Sequence, residues 1–408
     1  MPNYIRTCSL WLSFSLVLAA CGTVEPVTQP EAWSGALTPA PPTAVGMRAS
    51  LSDSLDAAIH AALADSAFPG AALVVGRYGR LLHMKGYGRT DWSEEAPRVT
   101  SRTMYDLASL TKVVATTTAA MILEEEGRID LDRPVHAYLP GFDDPAKGAI
   151  TPQMLLTHRS GMTTRMLHRE AKGRKEYLEK IDAQPLNSVP ATETRYGDWN
   201  MIVMQLVIEK ITGITLDVYM HQKVFQPLNM TDTGFRPDSS LKERVAPTEI
   251  QEWRGGKVHG VVHDENAWAL GGVAGHAGLF SSARDLAVFA QMLLNGGSYA
   301  GVRILNPETI ARWTARQSST SSRALGWDTP SGRSSSGDYF SSWSFGHTGF
   351  TGTSMWMDPR TNVFVVLLTN RVNPTRENSK IGSVRRAVGD AVQRAVMMGA
   401  SPGITTEQ

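Results

Sequence analysis

Cysteine is almost absent from this chain of 408 residues, and both copies lie near its start, at Cys8 and Cys21. Neither sign of charge is in excess, because the chain has 40 Lys and Arg residues and 39 Asp and Glu residues, which give a formal net charge of +1. The chain has no basic stripe, so nucleic acid is not an expected partner. Beyond residue 21 no apolar run is long enough to span a bilayer. The hydrophobic fraction of 42% instead indicates a globular protein with a sizeable core.

The first 22 residues differ from the rest of the chain. One cation, Arg6, precedes an apolar run that ends in small residues, which is the architecture of a secretory signal peptide. The segment LAAC, residues 18–21, resembles the lipobox of bacterial lipoproteins. That resemblance implies cleavage before Cys21, lipid attachment to its sulfur, and a place in the bacterial cell envelope, facing the periplasm or held in the outer membrane. The alternative is an ordinary signal peptide with a chance cysteine.

Removal of the signal peptide would leave the mature chain with a single cysteine, so no intramolecular disulfide is expected. Residues 23–46 are rich in Pro, Thr and Ala and lack apolar periodicity, which is typical of a flexible linker. We therefore predict a signal peptide over residues 1–20, a tether over 21–49, a folded domain over 50–398 and a tail over 399–408.

The folded domain is predicted to be α+β. Two β-rich runs flank Arg77-Tyr78-Gly79-Arg80, and two more flank the DPRT segment at 358–361, so both pairs indicate hairpins. Residues 50–140 and 270–398 have both strand and helix patterns, and they flank a mostly helical segment at residues 141–269. We expect an antiparallel sheet flanked by helices, built from both ends of the domain, with a helical domain inserted.

An alcohol and an amine stand three residues apart in YDLASLTKVVATTTAAMILEEEG, residues 105–127, which is predicted to be one helix. Residues i and i+3 share a helix face, so Ser109 and Lys112 can meet. The Ser109 N–H, unused by the first turn, could stabilise an oxyanion. The hydroxyl needs a base, and Lys112 could serve if burial against the apolar helix lowers its pKa. A second Ser-x-x-Lys pattern, Ser239 to Lys242, lies in a polar segment and is interpreted as part of the protein surface.

Four further segments accompany this pair in a fixed order. They are TPQMLLTHRSGM at 151–162, YGDWNMIVMQLVIEKITG at 196–213, GHAGLFSSARDLAVFAQMLLNGG at 275–297 and FGHTGFTGTSMWMDP at 345–359. Together they resemble the class C branch of the serine β-lactamase and penicillin-binding-protein superfamily, which includes D-alanyl-D-alanine carboxypeptidases, D-aminopeptidases and esterases. The resemblance runs from about residue 52 to 395.

The resemblance implies roles for individual residues. Ser109 would be the nucleophile and Lys112 and Tyr196 its proton-transfer partners, with the phenol of Tyr196 stabilised by nearby cations. Asp198 stands where many relatives have asparagine. It could accept a hydrogen bond from Lys112, and its charge would disfavour anionic substrates.

His347, Thr348 and Gly349 occupy the place of a lysine-threonine-glycine motif. Histidine is mostly neutral at pH 7, so His347 would be a weaker clamp for a substrate carboxylate, although it could donate a hydrogen bond. Gly349 would let a substrate backbone lie along the strand. The N–H of Phe350 would be the second oxyanion donor.

The remaining polar residues near these motifs are interpreted as structural. His259 and His263 are four residues apart, but no third ligand has metal spacing, so no metal is expected. Asp264 and Asn266 are predicted to hold a loop near the cleft by hydrogen bonds, His276 is predicted to be a turn residue, and His158 to pack a loop. Asn200 is predicted to begin a helix.

The sequence thus predicts a serine hydrolase that needs no cofactor and acts through an acyl-enzyme on amide or ester bonds. D-Alanine-containing cell-wall peptides are the expected substrates, β-lactams are expected to acylate Ser109, and the membrane would be reached through the lipid on Cys21. Two alternatives remain open. One is a short-chain carboxylesterase of the same fold, and the other is a lipoprotein that binds cell-wall fragments without turnover.

Overall fold

The structure is a computed structural model that describes residues 35–162, 164–171 and 173–399. The predicted signal peptide, the lipidation residue Cys21 and residues 400–408 of the predicted tail lie outside these ranges. Within them, no helix combines the length and the apolar character needed to cross a membrane.

The strands are β1 (Thr38–Pro39), β2 (Gly70–Arg77), β3 (Arg80–Gly88), β4 (Met104–Asp106), β5 (Gly234–Phe235), β6 (Ile250–Gln251), β7 (Gly256–Lys257), β8 (Leu279–Ser282), β9 (Ser298–Tyr299), β10 (Val302–Arg303), β11 (Phe345–Thr348), β12 (Ser354–Asp358) and β13 (Val363–Thr369). The α-helices are α1 (Leu51–Ala64), α2 (Thr118–Glu125), α3 (Pro152–Leu156), α4 (Gly173–Asp182), α5 (Asp198–Thr212), α6 (Leu216–Met220), α7 (Glu265–Ala269), α8 (Ala283–Leu294), α9 (Pro307–Thr314) and α10 (Ile381–Gly399). Two π-helical segments cover Lys112–Thr117 and His221–Phe225, and short 3-10 helices cover Pro42–Val45, Val135–Ala137, Pro140–Phe142, Ser239–Arg244 and Glu252–Arg254.

Six strands form the main sheet in the order β1-β3-β2-β13-β12-β11. All its neighbours are antiparallel except β1 and β3, which are parallel. The two predicted hairpins, β2–β3 and β12–β13, are both present, so the antiparallel sheet predicted from them is confirmed. A second sheet has the order β4-β8-β5 and carries the segment that precedes Ser109.

Alternating side chains of the main sheet enter two hydrophobic cores. Leu73 and Val75 of β2 pack with α1 and α10 on one face. Val74 of β2 and Val366 of β13 enter the larger core on the other face, where α8 packs. This period of two, in strands that are apolar throughout, is what a sheet covered on both faces requires. The α+β class with helices on both faces of the sheet is therefore confirmed.

The tether was predicted to reach residue 49, but strand and helix structure is present before that residue. Thr38 and Pro39 pair with Arg80 and Leu81 of β3, and residues 42–45 form a 3-10 helix. The prediction was wrong here because two residues of edge strand, one of them proline, leave no periodic pattern in the sequence. The predicted helical insert contains α3 to α7 and the short strands β5 to β7. Its division from the sheet part stays a prediction, because the described residues belong to one compact unit.

Candidate active site

Ser109 lies at the end of a tight turn rather than inside a helix. Residues 104–106 form β4, and helical structure begins at Leu110, so the predicted helix over 105–127 was wrong in its first turn. Ala108 has φ of +46°, a left-handed conformation that is strained for a residue with a Cβ, and its N–H donates to Asp106 Oδ1 at 2.8 Å. The turn leaves Ser109 partly exposed among buried neighbours.

The turn is fixed from both sides. Leu107 donates its N–H to the Leu279 carbonyl of β8 at 2.9 Å, and its own carbonyl accepts the Thr353 hydroxyl at 2.9 Å. A Cβ placed on Gly349 would lie 2.3 Å from the Leu107 carbonyl oxygen. The glycine that was predicted to accommodate a substrate backbone thus already permits close contact between the end of β11 and the serine turn.

Lys112 is fully buried and uses all three hydrogens of its ammonium group. Its Nζ donates to Ser109 Oγ at 2.9 Å, to Asp198 Oδ1 at 2.7 Å and to the His276 carbonyl at 3.1 Å. Burial lowers the pKa of Lys112, but its interactions with Asp198 and then with Tyr196 raise it by more, so the net pKa is raised. The condition under which the sequence allowed Lys112 to be the base, a lowered pKa, is therefore not met, because Asp198 lies in direct contact. Lys112 is an ammonium donor to Ser109, not a free amine.

Tyr196 lies over the same group and faces the opening. Its ring centroid is 5.0 Å from Lys112 Nζ and 5.0 Å from Arg323 Cζ, and its side chain is 42% exposed. Two cations therefore lie against the ring of one phenol. The buried His158 ring packs 4.6 Å from Tyr196 and accepts the Gly197 N–H at 3.3 Å, so this predicted loop residue holds the tyrosine in place.

Asp198 is the first residue of α5, and its N–H donates to the Thr164 hydroxyl at 2.5 Å. Asn200 is buried and lies two residues further along α5. It accepts the Ser160 hydroxyl at 2.5 Å and donates to the Gly197 carbonyl at 3.1 Å, so it fastens a loop and does not line the opening.

His347 lies on β11 with its ring 6.0 Å from the ring of Tyr196. Its Nδ1 faces the Thr348 carbonyl at 2.8 Å, and its Nε2 faces Arg323 Nη1 at 3.4 Å. A carbonyl only accepts and a guanidinium only donates, so Nδ1 carries the proton and Nε2 is an acceptor. Burial, followed by the charges of Arg323 and Lys112, holds the pKa of His347 well below its usual range. In this tautomer the one N–H of His347 is already paired with the Thr348 carbonyl, so the possible donation to a substrate carboxylate is not supported by this geometry.

Arg323 was missed by sequence reasoning. Within the described part of the chain it pairs with no carboxylate, and its guanidinium lies between the Tyr196 ring and His347. It also lines a cavity of about 160 Å³ with Arg159, Thr157, Thr194, Ser318 and Ser321. Arg323 therefore supplies the full positive charge that His347 lacks.

Two arginines orient the peptide groups around Phe350. Arg385 Nη2 donates to the carbonyls of Gly349 at 2.7 Å and Thr353 at 2.8 Å, and Arg371 Nε donates to the Phe350 carbonyl at 2.8 Å. The C=O and N–H of a trans peptide point in opposite directions, so the Phe350 N–H points away from Arg385 and α10. Neither this N–H nor that of Ser109 donates to a backbone carbonyl in the described ranges.

The Phe350 side chain lies outside this arrangement. It is half exposed and stacks on His263, with ring centroids 5.8 Å apart. His263 itself pairs with Glu249 at 2.9 Å and donates its backbone N–H to Asp106 Oδ2 at 2.6 Å. The loop that contains His263 is thereby attached to the strand before Ser109.

Three potential metal ligands, Asp198, Asp264 and His276, have ligand atoms within 4.8 Å of one another. Each has a protein partner, because Asp198 accepts from Lys112 and Asp264 accepts from His276 Nε2 at 2.8 Å. These contacts satisfy the charges without an ion, and the absence of a metal requirement stays a prediction. His276, predicted to be a turn residue, contacts the site through its carbonyl.

Comparisons with known proteins show the family to which the chain belongs. The Beta-lactamase family model matches residues 55–389. The N-acetylmuramyl-L-alanine amidase of Bacillus subtilis is 35% identical over 344 residues, which are 74% of this chain and 77% of that protein. A protein of Salmonella typhimurium named as a D-alanyl-D-alanine carboxypeptidase is 32% identical over 382 residues, which are 85% of this chain and 88% of the other.

Among solved structures, a penicillin-binding-protein homologue from Caulobacter crescentus superposes with a TM-score of 0.69 at 19% identity, and the match covers 84% of this chain and 97% of that one. At that identity the likeness concerns the fold. The family match covers most of the chain and the relatives are well above chance identity. The chain therefore belongs to the β-lactamase family and is a serine hydrolase with the β-lactamase and penicillin-binding-protein fold.

Proposed function

We propose that this serine hydrolase cleaves an amide bond in a cell-wall peptide whose leaving part carries a carboxylate. One observation carries the chemistry: a buried ammonium, Lys112, donates at once to Ser109 Oγ and to Asp198, with Tyr196 beside it. A cation held in this way stabilises negative charge that develops on its neighbours and needs no reorganisation during the reaction.

The proposed reaction has two steps. Ser109 Oγ attacks the substrate carbonyl carbon while its proton passes to the phenolate oxygen of Tyr196. The N–H groups of Ser109 and Phe350 hold the oxyanion. Tyr196 then protonates the leaving nitrogen, the C–N bond breaks, and an acyl ester remains on Ser109. A water gives its proton to Tyr196, attacks the ester, and Ser109 leaves with the proton. Lys112 stays protonated throughout, which revises the sequence-based expectation that it shares the proton.

Arg323 supports an anionic leaving part. Its guanidinium faces the site without a carboxylate partner among the described residues, and a guanidinium binds a carboxylate through paired hydrogen bonds. The two relatives are named for amide hydrolysis next to alanine, one at D-alanyl-D-alanine and one at N-acetylmuramyl-L-alanine. Cleavage of either bond releases a fragment that ends in a carboxylate, so both bonds are candidates.

The cell envelope is the proposed place of action. The signal-peptide pattern and the lipobox-like LAAC segment support a lipid anchor on Cys21. Expression with a radiolabelled fatty acid tests this, and Cys21→Ala is the control. Label in the wild type that is lost in the variant supports the anchor. Equal absence of label in both overturns it and leaves an ordinary secreted form.

Activity is tested by labelling with a fluorescent penicillin and a fluorophosphonate, with Ser109→Ala as control. Turnover is then compared for four substrates: an acyl-D-Ala-D-Ala peptide, an N-acetylmuramyl-L-alanyl peptide, a chromogenic β-lactam and a short-chain ester. Turnover of one of the two peptides, lost in Ser109→Ala, is expected. Turnover of the ester alone would favour the carboxylesterase alternative. Labelling by neither reagent would favour the lipoprotein that binds without turnover.

A further inference from the structure

Two exposed indoles lie side by side near the site. Trp253, in the 3-10 helix before β7, is 39% exposed, and Trp268 on α7 is 46% exposed. Their rings meet edge to face at 5.5 Å and 83°, and the His168 ring packs against Trp253 at 4.8 Å. We call His168, Trp253 and Trp268, with the flanking Arg169 and Arg254, the indole shelf.

The shelf is held rigid from below. Arg254 Cζ lies 5.7 Å from the Trp253 ring and 5.2 Å from the Trp268 ring, and its Nη1 donates to the Val262 carbonyl at 2.9 Å and the His263 carbonyl at 3.2 Å. The His168 ring lies against Trp253 at an interplanar angle of 36°, and burial lowers the pKa of His168 from its usual value. Large apolar faces kept in fixed positions at a surface are typical of ligand sites.

The shelf is continuous with the active site. The backbone N–H of Trp268 donates to the Asp264 carbonyl at 2.9 Å, so Trp268 lies one helical turn after Asp264. The Asp264 carboxylate accepts from His276, whose carbonyl accepts from Lys112, and it lies within 4.8 Å of the Asp198 carboxylate. The residue that carries the indole is therefore linked through Asp264 and His276 to the lysine that contacts Ser109.

A second connection leads from Asp198 to His168. The Asp198 N–H donates to the Thr164 hydroxyl, and Asn266 of α7 donates to the Arg165 carbonyl at 3.0 Å and accepts the Leu167 N–H at 3.1 Å. The chain from 164 to 168 is thus fastened to the first residue of α5 at one end and to α7 near the other. The shelf and the catalytic lysine share one framework.

The rim of the shelf selects the kind of ligand. Arg169, which is exposed, has its Cζ 5.7 Å from the Trp253 ring and has no carboxylate partner among the described residues. A purely apolar ligand would not use this guanidinium, and a small anion would not use the exposed parts of the two indoles. A pyranose ring suits both, because it presents a face of C–H groups for an indole and a rim of oxygens for the Arg169 guanidinium.

We propose that the indole shelf binds an N-acetylated amino-sugar ring joined to the acyl part of the substrate. This inference rests on the proposed function, because it assumes that the acyl part comes from the cell wall. It deepens that function by favouring a glycosylated peptide over a free peptide, and hence the amide bond next to the sugar.

Binding is tested first, without turnover. Ser109→Ala protein is titrated with an N-acetylmuramyl dipeptide and with the same dipeptide carrying an acetyl group in place of the sugar, and tryptophan fluorescence is recorded. The sugar-bearing ligand is expected to bind about tenfold more tightly and to shift the emission. Trp268→Ala in the Ser109→Ala background is expected to remove this preference. Equal affinity for the two ligands would overturn the proposal even if the enzyme hydrolyses both.

Kinetics supply the second readout. The ratio of kcat/KM for the sugar-bearing and sugarless peptides is expected to fall about fivefold to tenfold in Trp268→Ala, and Trp268→Phe is expected to recover part of it. Trp343→Ala is the matched control, since Trp343 is 63% exposed and lies before β11, at the end away from His347 and Gly349. An equal fall in Trp343→Ala would overturn the inference. If no peptide is hydrolysed but the fluorescence preference holds, the proposed reaction fails and the sugar site stands.

Discussion

Lys112 Nζ lies 2.7 Å from Asp198 Oδ1 in a site where the lysine side chain has no exposed surface. Removal of one member of a buried pair leaves the other charge without compensation. The carboxylate has a second effect, because it holds the ammonium protonated while that ammonium contacts Ser109. In this chain the carboxylate of Asp198 therefore raises the pKa of the lysine that contacts Ser109.

Asp198→Asn is expected to lower kcat about tenfold to a hundredfold and to move the alkaline limb of the pH profile to lower pH. Burial lowers the pKa of Lys112, and Asp198 is the main group that raises it. Without the Asp198 carboxylate, the pKa of Lys112 should therefore fall. Activity requires the protonated lysine and is then lost at a lower pH. The measurement is kcat/KM from pH 6 to 10 on the peptide that is turned over.

Asp264→Asn is the matched control, because its carboxylate lies within 4.8 Å of that of Asp198 but is paired with His276. Its alkaline limb should stay close to that of the wild type. An alkaline limb that does not move in Asp198→Asn would contradict the protonated role assigned to Lys112.

For His347, the structure leads to a prediction opposite to the one that the sequence favours. A lysine at position 347 would restore the relatives' motif, but its ammonium would face Arg323 Nη1, which lies 3.4 Å from the present Nε2. His347→Lys alone is expected to lower both the melting temperature and kcat/KM. Arg323→Ala alone is expected to lower kcat/KM about tenfold to a hundredfold for substrates with a carboxylate on the leaving part, and little for neutral esters.

The double variant is the decisive one. His347→Lys with Arg323→Ala moves the cation from one residue to the other and should recover activity on carboxylated substrates above that of either single variant. Effects that simply add would show that the two positions act independently. Wild-type kcat/KM should also show no titration of His347 between pH 6 and 8, since burial and Arg323 hold its pKa well below that range.

The site residues that were predicted from sequence motifs lie together in the structure. The site residue that was missed, Arg323, does not belong to any of those motifs. Ser109, Lys112, Tyr196 and Asp198 form one cluster because each occurs in a short segment with a recognisable order. Arg323 occurs in a Ser- and Thr-rich loop and reaches the site through a bridge between Asp328 and Gly346, a contact that depends on the fold. The direction of the Lys112 pKa could not be predicted for a similar reason, since it depends on a distance between segments 86 residues apart.

Arg385 did leave a signal that could have been used. On α10 it shares the spacing of Ile381, Val388 and Val392, which are buried against the sheet. An arginine on the apolar stripe of a helix must find acceptors in the interior, and here it finds two carbonyls of the loop after Gly349. The neighbouring Arg386 lies off that stripe and contacts the Ser334 carbonyl and Asp338 instead.

Arg385→Met is expected to lower kcat at least tenfold and to destabilise the fold by about 2–4 kcal/mol, because two carbonyls lose their donor. Burial, then the charge of Arg371, lowers the pKa of Arg385 to about 9, yet it remains a cation at neutral pH. Chemical denaturation and the separate values of kcat and KM are the measurements. A loss mainly in kcat, partly recovered by Arg385→Lys, would support its role in positioning the Phe350 N–H.

Arg386→Met is the control for that experiment, since it removes the adjacent arginine and its contacts with Ser334 and Asp338 while leaving the Gly349 carbonyl paired. It should change stability slightly and kcat hardly at all. If both variants lower kcat equally, the effect belongs to α10 as a whole and not to the loop that Arg385 holds.

Asp285 links pH to stability at a place far from the chemistry. Its buried carboxylate accepts the Asp232 N–H at 2.7 Å and the Thr233 hydroxyl at 2.9 Å, and burial raises its pKa to about 6. As pH rises from about 4 to 6, the unfolded chain releases this proton first, so this residue lowers the free energy of unfolding over that interval by roughly 3 kcal/mol at most. Asp285→Asn keeps an acceptor for both donors and has no proton to lose. Urea unfolding should therefore show the variant gaining stability over the wild type as pH rises from 4 to 7, and a difference independent of pH would mean that this carboxyl is not protonated in the fold.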